Sequence, residues 1–133
     1  MIYLDNNATT PIDKAVADAM LPFIYENYGN PSSTHKMGLA AKSAIQQSRQ
    51  QVGKLLNCSE DEVVFTGSGS EANNTILKGV AAAHKDKGRH IITSMIEHPS
   101  VMATCQYLQN SGFRVSYLPV NKYGEVEAEQ VQN

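Results

Sequence analysis

Tryptophan is absent from the sequence, and cysteine occurs only twice, as Cys58 and Cys105. These two cysteines lie far apart and form no CxxC pair, which excludes a disulfide scaffold and a typical zinc-binding motif. Histidines, cysteines and carboxylates show no metal-ligand spacing elsewhere in the chain. We therefore expect plain thiols and no metal site.

The sequence also lacks long apolar runs and an excess of one charge. No segment approaches the length of a membrane span, and residues 1–5 lack the basic and apolar regions of a signal peptide. The formal net charge is -2, from 11 basic and 13 acidic residues, and no basic stripe follows the chain. We expect a cytoplasmic protein that binds neither nucleic acid nor membrane, with 133 residues that suffice for a packed core.

Helical and extended patterns alternate along the chain and predict an α/β fold. The first half predicts helices over about 13–26, capped by Asp13, and about 37–56, with a turn-rich loop between them. The second half predicts strands and helices in the order βαβαβ, over 62–66, 70–84, 90–94, 99–110 and 114–118. This order is typical of a parallel or mostly parallel sheet with covering helices. Residues 125–133 resemble the start of a helix without a stop signal, so we expect the chain to end inside an element.

The segment FTGSGSEANN, residues 65–74, lies between a predicted strand and a predicted helix. Gly67 and Gly69 allow the backbone to approach a ligand closely, and a helix beginning near Ser70 offers unpaired N–H groups and a positive dipole end. This pattern predicts an anion-binding turn, in which Ser70 either caps the helix or binds a phosphate oxygen. A tight turn without any ligand is the alternative.

The motif narrows the choice of anion. No lysine follows the glycines, which excludes a nucleotide P-loop, and Thr66 stands where a nucleophile elbow needs glycine. Residues 67–72 do match the dinucleotide fingerprint G-x-G-x-x-A. However, the next strand ends in Thr93 and Ser94, without the acidic residue that holds a ribose hydroxyl. The dinucleotide stays open as an alternative.

A histidine follows the second predicted strand. His98 precedes Pro99, which suits the first position of a helix, so His98 is expected at the mouth of that helix. In open α/β sheets ligands bind outside the carboxyl ends of the strands, so His98 and the glycine turn are expected to face one crevice. An imidazole at that position could cap the helix, or stack on an aromatic ring and carry protons.

Five ordered segments resemble one known family: 3–11, 29–35, 64–74, 90–94 with Glu97 and His98, and 112–118. Together they resemble the N-terminal third of the pyridoxal-phosphate-dependent cysteine desulfurases of the NifS/IscS type, within the class V aminotransferases. The resemblance implies a fold-type I enzyme. Residues 1–12 would then contribute to its small domain, and residues 13–133 would form the first part of its large cofactor domain, truncated at the C-terminus.

The resemblance also implies roles for individual residues. Gly69 and Ser70 match the positions that bind the phosphate of pyridoxal 5'-phosphate (PLP), and His98 matches the histidine that stacks on the pyridine ring and takes part in proton transfer. Asn7 and Thr9 resemble residues near the substrate mouth. The family usually has threonine at position 70 and reverses the glycine and serine at 67 and 68, but Ser70 keeps the hydroxyl.

The family's Schiff-base lysine and persulfide-forming cysteine have no counterpart here, because no lysine lies in the matching motif and neither Cys58 nor Cys105 matches. The resemblance implies that the full-length enzyme converts L-cysteine to L-alanine as a homodimer. It would pass persulfide sulfur to an acceptor or scaffold protein for iron–sulfur cluster or thio-cofactor assembly. We expect the 133-residue chain alone to be inactive. A noncatalytic module of the same fold, and another class V enzyme such as a selenocysteine lyase, are the alternatives.

Overall fold

The computed structural model describes residues 2–132, without the side chain of Gln132. Backbone contacts divide the chain into two units, one ending at Val64 and the other beginning at Phe65. The N-terminal unit contains helix α1 (Lys14–Tyr25), helix α2 (Lys36–Leu56) and a 3₁₀ helix (Glu60–Glu62). The C-terminal unit contains, in order, α3 (Gly69–His84), β1 (His90–Ser94), α4 (Pro99–Asn110), β2 (Arg114–Leu118) and α5 (Glu129–Gln132).

Side-chain caps determine where the helices of the N-terminal unit begin. The Asp13 carboxylate accepts a hydrogen bond from the Ala15 N–H at 2.8 Å, as the sequence predicts for α1. The Nδ1 atom of His35 accepts from the Gly38 N–H at 3.3 Å and caps α2 in the same way. At the other end of α2, Asn57 adopts the left-handed conformation that commonly ends a helix, with φ 56°.

The apolar stripe predicted for α1 is formed but is only partly covered. Its side chains line an open groove of about 710 Å³ together with residues of α2. They remain 45–59% exposed, and they are Val16, Met20, Phe23 and Ile24. Within the N-terminal unit, periodicity therefore predicts the face of the helix correctly but not the extent of its burial.

The C-terminal unit is built on a parallel β1–α4–β2 crossover. The two strands pair in register from His90 with Arg114 to Ser94 with Leu118. Helix α4 contributes the most deeply buried side chains, with Cys105 0% and Leu108 4% exposed. Thr104, also buried, donates its hydroxyl proton to the Ser100 carbonyl at 2.8 Å, so no polar group is stranded there. The predicted α/β class with a parallel sheet is confirmed.

The first predicted strand, over 62–66, is not part of the sheet. The Ser59 N–H donates to the Glu62 carboxylate at 2.8 Å, and the Glu62 N–H donates to the Ser59 carbonyl at 3.0 Å, which closes the 3₁₀ turn. The Val63 backbone is extended, but Val64 is 73% exposed. A short apolar run favours a strand, yet a strand also needs a neighbour, and the sheet of residues 2–132 contains only β1 and β2.

The final helix begins later than residue 125. The Asn121 side chain accepts hydrogen bonds from the N–H groups of Tyr123 at 2.9 Å and Glu125 at 3.1 Å. Gly124, with φ 82°, completes this turn, so α5 starts only at Glu129.

Candidate functional site

The glycine turn before α3 is fixed by reciprocal hydrogen bonds. Ser68 is the N-cap residue, and its Oγ accepts from the Glu71 N–H at 3.2 Å. The Glu71 carboxylate reaches back and accepts from the Gly67 N–H at 2.7 Å. Thr66 Oγ1 adds a bond to the Ser68 carbonyl at 3.1 Å. The arrangement resembles a capping box and holds the turn in place without a ligand.

These bonds exclude one of the two predicted roles of Ser70, that of the helix cap. Because Ser68 caps the helix, the Ser70 hydroxyl is left for another partner, and it makes no hydrogen bond within residues 2–132. The N–H groups of Gly69 and Ser70 lie in the first turn, where no intrahelical acceptor exists. Helix α3 has 16 residues, so its positive dipole end adds to these donors. Three donors at a helix N-terminus therefore favour an anion.

His98 caps α4, as its place before Pro99 predicts. Its Nδ1 atom accepts from the Ser100 N–H at 3.1 Å and lies 2.9 Å from the Ser100 Oγ. The Asn73 side-chain amide, on α3, donates to the same Ser100 Oγ at 2.9 Å. A continuous hydrogen-bonded chain thus runs from α3 to the His98 ring.

The anion-binding turn, here called the cradle (Ser68, Gly69 and Ser70), and His98 border one pocket. It has a volume of about 270 Å³ and is lined by Ser68, Gly69, Ser70, Asn73, His98 and Ser100. Hydroxyl, amide and imidazole groups line it, and none of these residues carries a carboxylate. A Cβ atom built on Gly69 would meet nothing within 4 Å, so the space beside the donors is open. The pocket fits a phosphate group and is slightly smaller than ordinary small-molecule sites of about 300–1,000 Å³.

Two predicted site residues lie in the N-terminal unit. Asn7 and Thr9 are exposed and belong to a turn in which the Ala8 and Thr9 N–H groups donate to the Asp5 carbonyl at 3.1 and 3.4 Å. Their role at a substrate mouth stays a prediction. In the C-terminal unit, Glu97 accepts from the Ser94 hydroxyl at 3.1 Å, so its carboxylate is held at the end of β1.

The sequence reasoning missed Asn73 and Ser100 as members of the pocket. A signal was available, since Asn73 follows Gly69 and Ser70 by four and three residues and so shares their face of the helix. Ser100 stands two residues after His98, in the first turn of α4, where it meets a capping side chain.

Neither cysteine belongs to the pocket. Burial, and secondarily the negative charge of Glu97, raises the pKa of the Cys105 thiol, which disfavours the reactive thiolate. Cys58 lies in the N-terminal unit and is partly exposed. Among residues 2–132 no three histidine, cysteine or carboxylate side chains are grouped to hold a metal ion.

The family model described as "Aminotransferase class-V" matches residues 2–133. The chain belongs to the class V aminotransferase family. The cysteine desulfurase IscS of Methanosarcina thermophila is 48% identical over 132 residues, which cover 99% of this chain and 33% of that protein. The chain therefore spans about a third of the length of the curated relatives it matches.

Two solved structures are also similar to the chain. A NifS-like protein superposes with a TM-score of 0.91 at 43% identity, over 98% of this chain and 36% of the other. SspA in complex with cysteine superposes with a TM-score of 0.88 at 38% identity, over 98% of this chain and 38% of the other. The resemblance to the N-terminal part of the NifS/IscS-type desulfurases is confirmed.

In the described part of the chain, no helix is long and apolar enough to span a bilayer.

Proposed function

We propose that the chain forms the phosphate-binding part of a PLP-dependent cysteine desulfurase. The observation that carries the proposal is the single pocket that joins Gly69, Ser70 and His98. An anion cradle beside an imidazole suits a ligand that combines a phosphate group with a flat ring. Membership of the class V family and the relatives named as desulfurases support PLP over the dinucleotide.

Gly69 and Ser70 bind the phosphate in this proposal. Their two N–H groups and the Ser70 hydroxyl donate to its oxygens, and the dipole of α3 stabilises its negative charge. Ser68 and Glu71 fix the turn, since the Ser68 Oγ accepts from the Glu71 N–H and the Glu71 carboxylate accepts from the Gly67 N–H. They keep the donors in place before the ligand arrives, which lowers the entropic cost of binding.

His98 would contact the ring of the cofactor in this proposal, and it would present a proton at Nε2, because its Nδ1 atom accepts the Ser100 N–H. PLP, when bound, supplies the electron sink that makes bonds near the substrate α-carbon labile. Asn7 and Thr9 belong to the substrate mouth, within a segment 1–12 that serves the small domain, while residues 13–133 start the cofactor domain.

The complete enzyme would convert L-cysteine to L-alanine and deliver sulfur to an acceptor or scaffold protein, as a cytoplasmic homodimer. Those steps need a Schiff-base lysine and a persulfide-forming cysteine, and no lysine or cysteine of this sequence stands in the matching motifs. Buried Cys105 is also a poor nucleophile, since its thiol pKa is raised by burial and by Glu97. The 133-residue chain alone is therefore inactive in this proposal.

A binding comparison tests the cradle. Calorimetry with PLP, pyridoxal and inorganic phosphate would measure the contribution of the phosphate group. We expect PLP to bind more tightly than pyridoxal. The Ser70→Ala substitution should lower the affinity for PLP roughly tenfold and change the affinity for pyridoxal little. Equal affinities for PLP and pyridoxal would contradict the phosphate-binding role.

Product analysis tests the reaction. The chain supplied with PLP, L-cysteine and a thiol reductant is expected to release no alanine. A polypeptide in which these 133 residues are followed by the other two thirds of the class V fold should release sulfide and alanine in equal amounts. A strong preference for L-selenocysteine in that assay would favour the selenocysteine lyase alternative, and no product would favour a noncatalytic module.

A further inference from the structure

We propose that Asn73 and Ser100 are positioning residues that hold the His98 ring in one orientation, as the neutral tautomer with its proton on Nε2. The inference rests on the proposed role of His98 beside the cofactor ring, and it assigns two further residues to that site. The observation behind it is the chain of hydrogen bonds that joins Asn73, Ser100 and His98 in the C-terminal unit.

The tautomer follows from the donors that surround Nδ1. A backbone N–H can only donate, so the 3.1 Å bond from the Ser100 N–H requires a lone pair on His98 Nδ1. The Ser100 Oγ, 2.9 Å from the same atom, can then act only as a donor toward it, and it shares the single Nδ1 lone pair with the N–H. A neutral imidazole that accepts at one nitrogen carries its proton on the other. The ring therefore presents an Nε2–H donor, and Nε2 cannot act as a base while this arrangement persists.

Asn73 determines which way the hydrogen bonds of this chain run. Its Nδ2 donates to the Ser100 Oγ at 2.9 Å, which occupies an oxygen lone pair and leaves the hydroxyl proton for His98. Asn73 and Ser100 are both partly buried, so the bond between them competes less with water than a surface bond does. Because Asn73 lies one turn after Gly69 and Ser70, the ring is placed relative to the same helix that binds the phosphate.

The arrangement has a chemical consequence for the cofactor. A ring attached to α3 through Ser100 keeps its distance from the phosphate donors fixed, so the phosphate and the ring face are recognised together. The substitution Asn73→Ala or Ser100→Ala removes or weakens the contact through the Ser100 Oγ but keeps the Ser100 N–H bond, so the ring should be held less firmly and the Nε2–H tautomer should lose part of its excess population. Loss of one such hydrogen bond is expected to weaken PLP binding roughly 2- to 10-fold.

Nitrogen NMR of the chain labelled with 15N-histidine tests the tautomer without any cofactor, and the His98→Asn variant assigns the signals. We expect a protonated Nε2 and an unprotonated Nδ1 at His98 in the unsubstituted chain. Ser100→Ala and Asn73→Ala keep the backbone N–H bond to Nδ1, so we expect the Nε2–H tautomer still to predominate in both, with nitrogen shifts moved part of the way toward the average of the two tautomers. The original shifts should return in Ser100→Thr, which keeps the hydroxyl. A protonated Nδ1 in the unsubstituted chain, or unchanged shifts in both alanine variants, would overturn the proposal.

Asn73 itself lines the pocket, so it could also contact the cofactor directly. A double-mutant cycle of PLP binding affinities separates direct contact from positioning of His98. If Asn73 acts through His98, Asn73→Ala weakens PLP binding in the unsubstituted chain but adds nothing in the His98→Asn background, and the affinity for inorganic phosphate stays unchanged. An equal loss in both backgrounds, or a loss of phosphate affinity, would show direct contact and contradict the positioning role. Failure of PLP to bind better than pyridoxal would contradict the proposed function alone, since the NMR result is independent of it.

Discussion

The Ser68 Oγ accepts a hydrogen bond from the Glu71 N–H at 3.2 Å, and this bond separates two serines that look equivalent in the sequence. Ser68 closes the turn, whereas Ser70, two residues on, keeps its hydroxyl for a ligand. We therefore expect Ser68 to serve stability and, under the proposed function, Ser70 to serve binding, which makes them a matched pair for mutation.

We expect Ser68→Ala to lower the free energy of unfolding by about 0.5–2 kcal/mol, because the N-cap acceptor of α3 is lost. Ser70→Ala should change it by less than about 0.5 kcal/mol, since the hydroxyl supports no bond in the described structure. Urea denaturation followed by circular dichroism measures both. If Ser70→Ala proved the more destabilising of the two, the assignment of the cap would be wrong.

His98 caps α4 and, in the proposed function, also binds the cofactor ring; two substitutions separate these roles. Asparagine accepts an N-cap hydrogen bond about as well as any residue, while alanine cannot. We expect His98→Ala to cost about 1 kcal/mol of unfolding free energy and His98→Asn much less. Both variants should lose PLP affinity, because neither retains the imidazole. Retained PLP affinity in His98→Asn, measured by calorimetry, would argue against stacking.

Features of the fold that depend on neighbouring residues could be predicted from this sequence better than features that depend on long-range packing. The cap at Asp13, the position of Pro99 and the strands 90–94 and 114–118 all agree with the structure, because neighbouring residues determine each of them. The strand predicted over 62–66 does not form in the sheet, because pairing depends on residues elsewhere in the fold.

The candidate site likewise has a part that the sequence predicts and a part that depends on long-range packing. The roles of Gly69, Ser70 and His98 follow from motif and resemblance, and the structure brings all three to one pocket. The Asn73–Ser100 link could not be predicted, because it joins side chains 27 residues apart on two helices. Its distances depend on how α3 and α4 pack, which periodicity alone does not determine.

Substitution of two helical glycines by alanine is predicted to change the free energy of unfolding in opposite directions. A Cβ atom on Gly38 would collide with the Ser33 carbonyl oxygen and lie 2.6 Å from that of Asn30, so Gly38→Ala should cost about 1–3 kcal/mol. A Cβ atom on Gly79 would meet nothing within 4 Å, so Gly79→Ala should gain about 0.5–1 kcal/mol by removing backbone entropy from the unfolded chain. Thermal or urea unfolding of the two variants checks the sign. Stabilisation by Gly38→Ala would show that the loop before α2 is not packed as described.

The buried thiol of Cys105 predicts a dependence of stability on alkaline pH. Burial, then the charge of Glu97, raises its pKa above the ordinary value of 9.0 in the folded state. Above that pH the unfolded chain releases the thiol proton while the folded chain keeps it, so the folded state binds more protons and stability falls as pH rises. Cys105→Ala should lower stability at pH 7 by removing a buried side chain, and should also make the decline above pH 9 shallower. Urea denaturation at several pH values from 7 to 10 measures both effects. An equal slope in the two proteins would show that the thiol does not titrate as its burial implies.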